Sequence, residues 1–479
     1  PPLQRLAIDI SGASHWALRA PAWIPSLITL GLIYPLGRRM LGSTAAAIAS
    51  WFVAVNSFLV FYGHFGRAYS LVALLALLLI FLCHRSVECD DLPPRRYWAL
   101  AAVTGLLPWV HLSSLLYMAP VLGATLLALS LGERPRRNGA RLVSAALMGA
   151  IGGLLLHVSA WNSLARFLTS KLESPYTGSF NALDIGALLM GSRGGAILIG
   201  IMAAACAIGF VYRQQRVAWP LVAGAIGAPA LLALVQPFGD AYAYARYLTA
   251  VVPGVLLLTG WGIAEACHRL FSRPHVAEIA GLAIGISVTG LLFAQSPLGP
   301  KGMDQGPHAN TYMNLYPLPA FDLSWEAAPP FYQQLARNPI PQRIIEVPAL
   351  TNRARHLYRS YYRLHGKPTS LGLLGSELWH APEGPYVSLR DTEVLGPEAG
   401  DYLIFHYNLD REAARYWNFV YRDNPQLSTH PATTNFMDRH HQLQRINQSL
   451  PPNLGARLHQ TLGNPVYRDE EIIVWSLQP

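Results

Sequence analysis

Arginine, histidine and tyrosine residues gather in the short segments that join long apolar runs of this sequence. His64 and Arg67 lie between two such runs, Tyr69 begins the second of them, and Arg246 directly precedes another run that begins at Tyr247. Arginine is well suited to phosphate, because its planar guanidinium donates parallel hydrogen bonds and keeps its charge. The pattern therefore predicts a site for a phosphate whose apolar tail remains in a bilayer.

Each of these residues also has a purely structural interpretation. An arginine at a helix end commonly extends to the lipid headgroups, and a tyrosine there commonly belongs to the aromatic belt. His64, His111 and His157 are expected at a similar depth, but their spacing matches no metal-ligand motif. The sequence therefore predicts no metal site and no certain cofactor, and leaves open whether a divalent ion assists the chemistry.

The elements that would position these side chains are long and apolar. Of 479 residues, 52% are apolar and 13% are charged, against roughly a quarter charged in soluble domains. Lipid offers no partner to a free backbone amide, so runs this long are expected to be membrane-spanning helices. The run at residues 97–111 is shorter than the roughly 17 to 25 residues that usually cross a bilayer. Ten runs are predicted to span, at residues 21–37, 43–61, 69–84, 97–111, 114–131, 142–158, 194–212, 218–236, 247–264 and 276–295.

Basic residues orient these spans, because they fall in every second loop. Residues 1–295 contain 20 Lys and Arg against 10 Asp and Glu, whereas the rest of the chain contains 16 against 17. The positive-inside rule places the basic loops in the cytoplasm and the region after residue 295 on the opposite side. The positive charge thus belongs to a membrane region, and nucleic acid is not predicted as a partner.

Three regions follow from this pattern. Residues 1–295 are predicted to form a polytopic α-helical membrane domain of about ten spans, residues 296–340 a proline-rich linker or crossing loop, and residues 341–479 an extracytoplasmic mixed α/β domain. The last region contains no cysteine, so we expect a hydrophobic core to hold it.

Short apolar segments bounded by Pro, Gly or Asp predict the strands of that last domain, and helical periodicity lies between them. Asp410 is a candidate N-cap, and Glu412 would add charge to the first turn of its helix. The strands are predicted at 343–347, 369–374, 402–407 and 471–476, and the helices at about 351–364 and 411–421.

Several segments resemble a known family. FYGHFGRAYS at residues 61–70, WVHLSSLLY at 109–117 and YARYLTAVVPGV at 244–255 are similar to successive segments of bacterial GT-C membrane glycosyltransferases. These include protein O-mannosyltransferases and the lipid A aminoarabinose transferase. The resemblance covers about residues 1–295. It implies a bacterial inner-membrane enzyme that moves a sugar from a polyprenyl-phosphate donor to an extracytoplasmic glycan, lipid or protein acceptor, with inversion at the anomeric carbon.

The resemblance also implies roles for the candidate site residues. Arg67 and Arg246 would stabilise the leaving phosphate. Tyr69, Tyr247 and His64 would donate hydrogen bonds to the sugar or stack on it. His111 resembles a family histidine at the start of its span and is a weaker candidate for the same cavity.

The family's catalytic base is an acidic residue in the first extracytoplasmic loop, shortly before a Pro-Pro-Leu-like stretch. Pro1, Pro2 and Leu3 resemble that stretch, so the base is expected upstream of Pro1 and is not assigned to Asp9. At least one helix is also expected upstream, because Pro1 already lies on the extracytoplasmic side of the predicted topology.

Two other classes of function remain as alternatives. A transporter or flippase would also have many helices, but an ion-coupled one should show paired charges or broken helices near the middle of the membrane. A membrane-anchored binding or sensor protein would need no arginine-tyrosine cluster at the helix ends.

Overall fold

A computed structural model of the chain has two compact units, Pro1–Leu315 and Tyr316–Pro479. The structure describes residues 2–11, 15–64, 68–89, 92–131, 136–156, 158, 181–212, 216–235, 241–299, 324–340, 342–348, 356–367, 369, 400–423, 441, 443–448, 450 and 452–478.

The first unit is built from helices joined by short connections. A 3-10 turn at Leu112–Ser114 joins two of them. The helices are α1 Pro2–Ser11, α2 His15–Leu41, α3 Ser43–Val55, α4 Ser57–His64, α5 Tyr69–Glu88, α6 Pro94–Val110, α7 Leu115–Ser130, α8 Arg136–Leu155, α9 Ala182–Met190, α10 Arg193–Tyr212, α11 Trp219–Val235, α12 Ala241–Tyr247, α13 Val252–Leu270 and α14 Pro274–Gln295.

Eight helices within the described residues are long and apolar enough to cross a membrane, or nine if the bent pair α3 and α4 counts as one span. The prediction was about ten spans. The difference lies in the run at 97–111, which falls in the helix Pro94–Val110 of 17 residues. It packs against α8 and α5, as part of the bundle. The finding confirms a multi-pass membrane protein.

Asn56 produces the bend of 56° between α3 and α4. Its side-chain oxygen accepts the Leu59 backbone N–H at 2.9 Å, and its Nδ2 donates to the Leu189 carbonyl, also at 2.9 Å. The residue therefore caps the second helix of the pair and ties the bend to α9.

Helices α6 and α8 approach closely through glycines. A Cβ placed on Gly149 would lie 2.1 Å from the Ala101 carbonyl oxygen, and one on Gly153 would lie 2.1 Å from the Gly105 carbonyl oxygen. No larger residue fits between these backbones, which is typical of helix contacts in membranes.

The second unit contains a four-stranded mixed sheet with strand order β1-β2-β4-β3, which confirms a mixed α/β domain. Strand β1 is parallel to β2, and the other neighbours are antiparallel. The elements are α15 Phe331–Arg337, β1 Ile344–Val347, α16 His356–His365, β2 Tyr402–His406, α17 Leu409–Asp423, α18 Leu454–Leu462, β3 Tyr467–Arg468 and β4 Ile472–Ser476.

Three of the four predicted strands coincide with β1, β2 and β4. Of the predicted strand at 369–374, Thr369 forms an isolated parallel bridge to Ile344, and residues 370–374 lie outside the described residues. The two-residue strand β3 was not predicted.

The two faces of this sheet are covered differently. On one face, Ile344, Ile404 and Val474 pack in a core with residues of α15, α16 and α17. On the other face, Phe405 and Trp475 pack against α18. Because α15 belongs to the first of these cores, residues 331–337 are part of the folded unit.

Helix α17 begins earlier than predicted. Its first turn is capped by Asn408, whose Oδ1 accepts the Arg411 backbone N–H at 3.2 Å. Asp410 lies inside the helix and is therefore not the N-cap. Glu412 lies in the first turn, as predicted, and it is fully buried and bonds to other side chains of the core.

Candidate functional site

Aromatic and imidazole rings from four helical elements meet at one end of the bundle. The Tyr69 ring lies 4.5 Å from that of Tyr62 and 5.1 Å from that of His111, measured between centroids. The His111 ring lies in turn 6.0 Å from that of Tyr247. Tyr69, His111 and Tyr247, three of the predicted site residues, are thus brought together. We call Tyr62, Tyr69, His111, Tyr244 and Tyr247 the ring cluster.

Helix ends position this cluster. Tyr69 is the first residue of α5, His111 directly follows α6, and Tyr247 is the last residue of α12. Side chains at helix ends lie near the boundary of a spanning bundle, where tyrosine and histidine can keep one edge in apolar surroundings and one polar.

The orientation of the His111 ring is fixed locally. Its Nδ1 accepts the Ser113 backbone N–H at 3.3 Å, and the Ser113 hydroxyl lies 2.7 Å from the same nitrogen. A nitrogen that accepts a hydrogen bond carries no proton, so in the neutral ring the proton is on Nε2. His111 is therefore arranged to donate from Nε2 to an oxygen atom.

Arg246 supplies a positive charge beside these rings. It precedes Tyr247 in α12 and is half-buried, and its guanidinium interacts electrostatically with His111. Tyr244, one turn earlier, is fully buried and packs edge-on against Tyr247 at 6.5 Å. The arrangement places a guanidinium and an imidazole donor at one surface with aromatic rings around them.

His64 lies apart from this surface, in a groove of about 240 Å³ between α2, α4 and α5. Its Nδ1 donates to the Val60 carbonyl at 2.9 Å. The groove is mainly apolar, with Trp23, Leu30 and Leu59 in its lining. It therefore suits a hydrocarbon chain better than a sugar, and we do not group His64 with the ring cluster.

Several predicted residues lie outside the described residues. Arg67 is the most important of these, because the proposed pairing of Arg67 with Arg246 depends on it. His157 lies outside as well, and so do residues 159–180, which precede α9.

One contributor to the site, Ser113, was not singled out from the sequence. Ser113 holds the His111 ring, and its position two residues after His111, in a break between apolar runs, was the available signal.

Potential metal ligands do not assemble in the described part of the chain: it contains no group of three or more His, Cys, Asp or Glu residues able to hold an ion. The four cysteines are all free.

Part of the chain that contributes to the ring cluster matches a known protein family. The family model for dolichyl-phosphate-mannose-protein mannosyltransferases matches residues 2–162, which include Tyr62, Tyr69 and His111. No curated protein sequence matches the chain.

Solved structures of membrane glycosyltransferases are similar over almost the whole chain. ArnT from Cupriavidus metallidurans in the apo state has 15% identity and a TM-score of 0.52, with 99% of this chain and 86% of that one covered. ArnT bound to undecaprenyl phosphate has 13% identity and a TM-score of 0.50 at the same coverage. The oligosaccharyltransferase of Archaeoglobus fulgidus has 14% identity and a TM-score of 0.44, and the match covers 86% of this chain and 60% of the archaeal one.

The family-model match agrees with the resemblance that the sequence indicated. The two ArnT matches show that the chain has the fold of those structures.

Proposed function

We propose that the chain belongs to an inverting glycosyltransferase that moves a sugar from a polyprenyl phosphate to an acceptor outside the cytoplasm. The observation that carries this proposal is the convergence of Arg246, His111 and the tyrosine rings at the helix ends of a GT-C fold. Support for a lipid-linked donor comes from the family model's name and from the ArnT structure that holds undecaprenyl phosphate.

The ring cluster and Arg246 would act on the leaving group. The acceptor oxygen forms a bond to the anomeric carbon, the bond from that carbon to the phosphate oxygen breaks, and the electron pair leaves with the lipid phosphate. The guanidinium of Arg246 would neutralise the charge that develops there, and His111 would donate from Nε2. The tyrosine rings provide flat faces for the sugar.

A carboxylate must take the acceptor proton as its oxygen attacks, and inversion needs one base on the face opposite the leaving group. The groove beside His64 would hold part of the isoprenoid chain, since its lining is mainly apolar.

Localisation is part of the same proposal. The arginine-rich loops would face the cytoplasm of a bacterial inner membrane, and the α/β unit would lie outside it. A role for that unit in recognising the acceptor, which can be a glycan, a lipid or a protein, fits this topology.

The charge distribution in the bundle supports an enzyme over an ion-coupled transporter. Among the described residues of the first unit, no Asp, Glu, Lys or Arg is fully buried. Buried ionisable residues near the middle of the membrane are expected in proton and ion pathways.

The test uses the purified full-length protein with an undecaprenyl-phosphate sugar and measures consumption of the donor. Arg246→Ala should lower the rate by about 100-fold or more, as loss of a donor to a developing oxyanion commonly does. Arg246→Lys should recover part of it, since the charge stays but the planar fork is lost.

Arg193→Ala is the matched control, because Arg193 is paired with Asp184 at 2.8 Å and not with the ring cluster. It should keep the wild-type rate, and all variants should elute as the same folded species in detergent. An Arg246→Ala protein that transfers sugar at the wild-type rate would remove the assignment.

A further inference from the structure

A cavity of about 590 Å³ opens in the second unit, on the face of the sheet that α18 covers in part. Ligand cavities in proteins are commonly about 300 to 1,000 Å³, so this one is large enough for a small molecule or a terminal sugar residue. It lies on the opposite face from the main core of the unit, and none of the residues discussed above for the ring cluster belongs to it.

Three aromatic rings line this cavity, those of Phe405, Tyr407 and Trp475. The polar atoms of the last two are already engaged by the protein. Trp475 Nε1 donates to the Gly463 carbonyl at 3.0 Å, and the Tyr407 hydroxyl donates to the Asp469 carbonyl at 2.6 Å. These bonds hold both rings in place. The Trp475 ring is fully buried, so the half-buried Tyr407 ring is the one whose face is accessible to a ligand. Ring faces carry partial negative charge and attract the polarised C–H bonds of a sugar ring.

The polar groups of the lining are donors or cations. Arg468 is exposed at the rim, with its guanidinium carbon 6.0 Å from the centre of the Tyr407 ring, and His459 is exposed on α18. Asn447 uses its Oδ1 to accept the Leu409 N–H at 2.9 Å, so that its remaining polar group, Nδ2, is a donor. The lining contains no Asp or Glu. A ligand that fits this chemistry offers hydroxyl acceptors and a negative charge.

We propose that this cavity binds a sugar that carries an anionic group, and that it serves to hold the acceptor of the transfer reaction. The face of the Tyr407 ring would stack on the sugar ring, and Arg468 would bind the anionic substituent, because guanidinium groups pair well with phosphate and carboxylate. The acceptor role rests on the proposed function, but the binding itself does not.

The test measures binding of glucose 6-phosphate to the purified full-length protein by isothermal titration calorimetry, with glucose and inorganic phosphate as the comparison ligands. Glucose 6-phosphate should bind at least tenfold more tightly than either, since each of the others lacks one half of the recognised chemistry.

Two variants of the lining and one control separate the contributions. Arg468→Ala should weaken glucose 6-phosphate binding about tenfold, the usual loss for one charge-assisted hydrogen bond, and should leave the weak binding of glucose unchanged. Tyr407→Phe keeps the ring and should preserve binding, whereas Tyr407→Ala should weaken both sugars. Arg445→Ala removes an exposed guanidinium that is not part of the lining and should have no effect.

Equal binding of inorganic phosphate and glucose 6-phosphate would overturn the proposal, and so would binding that Arg468→Ala leaves unchanged or a complete lack of binding. The binding assay contains no polyprenyl-phosphate donor and measures no transfer. Failure of the transfer assay would therefore contradict the proposed function and leave the glucose 6-phosphate binding result standing. Failure of glucose 6-phosphate binding would contradict the proposed ligand site in the cavity and leave the transfer assay standing.

Discussion

The two units of the molecule bury polar groups in different ways. In the helical bundle, several buried threonine hydroxyls bond to the backbone carbonyl one turn earlier, as Thr29 does with Pro25 and Thr259 with Val255, at 2.8 and 2.9 Å. In the α/β unit, ionisable side chains bond to one another. The bundle therefore needs no buried charge pair to satisfy these groups, whereas the second unit depends on matched charges.

A single chain of hydrogen bonds runs through the core of the α/β unit. Tyr361 donates to Glu412 at 2.8 Å, and His406 Nδ1 lies 2.9 Å from both Glu412 oxygens. The Tyr332 hydroxyl lies 3.3 Å from His406 Nε2 and donates to Glu346 at 3.1 Å. Every hydrogen bond of this chain can form when His406 carries a proton on both ring nitrogens, because both nitrogens then act as donors.

The electrostatics of the core agree with a charged His406. Burial disfavours the charge, but the neighbouring Glu412 carboxylate, with Glu346, raises the pKa of His406 above its usual value. Burial raises the pKa of Glu346 to about 7. The network thus combines one ion pair, His406 with Glu412, and a second carboxyl that takes up a proton readily.

Removal of one partner of the buried ion pair should give the largest loss of stability among the variants that compare the two units. Glu412→Gln leaves the imidazolium of His406 without its counter-charge in the core. We expect a loss of about 3 to 5 kcal/mol in the free energy of unfolding of the α/β unit, measured by urea denaturation of the full-length protein in detergent. Glu470→Gln is the matched control, because its carboxylate pairs with Arg411 at the surface and should change stability by less than about 1 kcal/mol. Equal effects of the two variants would contradict the assignment.

The pH dependence of stability should have a defined sign. An unfolded glutamate loses its proton near pH 4.5, whereas folded Glu346 keeps it until about pH 7. The folded state therefore holds more protons in this window, and stability should fall as the pH rises through it, by about 3 kcal/mol. The raised pKa of His406 acts in the same direction above its unfolded value of 6.5.

Glu346→Gln should remove most of the Glu346 part of that slope and stabilise the α/β unit at pH 7 and above, since the uncharged amide can still accept from Tyr332. Glu326→Gln is the control, because Glu326 is exposed and pairs with Arg422 at the surface. Urea midpoints between pH 4.5 and 8 provide the measurement, and an unchanged slope in Glu346→Gln would show that another group is responsible.

The smallest effect is expected in the bundle. Thr259→Val keeps the shape of the side chain and removes a hydroxyl bonded to a carbonyl of its own helix. Because a neutral hydrogen bond of this kind contributes about 1 kcal/mol or less, the melting temperature in detergent should move by a few degrees at most. A loss as large as that of Glu412→Gln would mean that the bundle depends on its buried polar groups as strongly as the α/β unit does.

The sequence predicted those elements whose signal is local. Strands β2 and β4 are short apolar segments bounded by turn residues, and long apolar runs predicted the spanning helices. Asn56 was not recognised as a bend, because it is one of several small polar residues within the run at 43–61. The burial of Glu412 was not predicted for a different reason: Tyr361, one of its partners, is 51 residues away in sequence.

The candidate site, too, was predicted where the sequence signal is local and was not predicted where it depends on packing. Basic and aromatic residues at the ends of the runs predicted which helix ends carry polar chemistry, and Tyr69, His111 and Tyr247 do meet. The rotation of each helix about its axis depends on packing between helices, which the sequence pattern alone does not determine. This is why His64 could not be separated from the ring cluster before the structure was known.

The short helix Ser57–His64 divides two environments. Residues two apart on a helix project about 200° from each other, and here Tyr62 joins the ring cluster while His64 lines the apolar groove. An amphiphile that used both surfaces would straddle this helix, with its headgroup on one side and its tail on the other. The bend at Asn56 would then set how far apart those two ends are held.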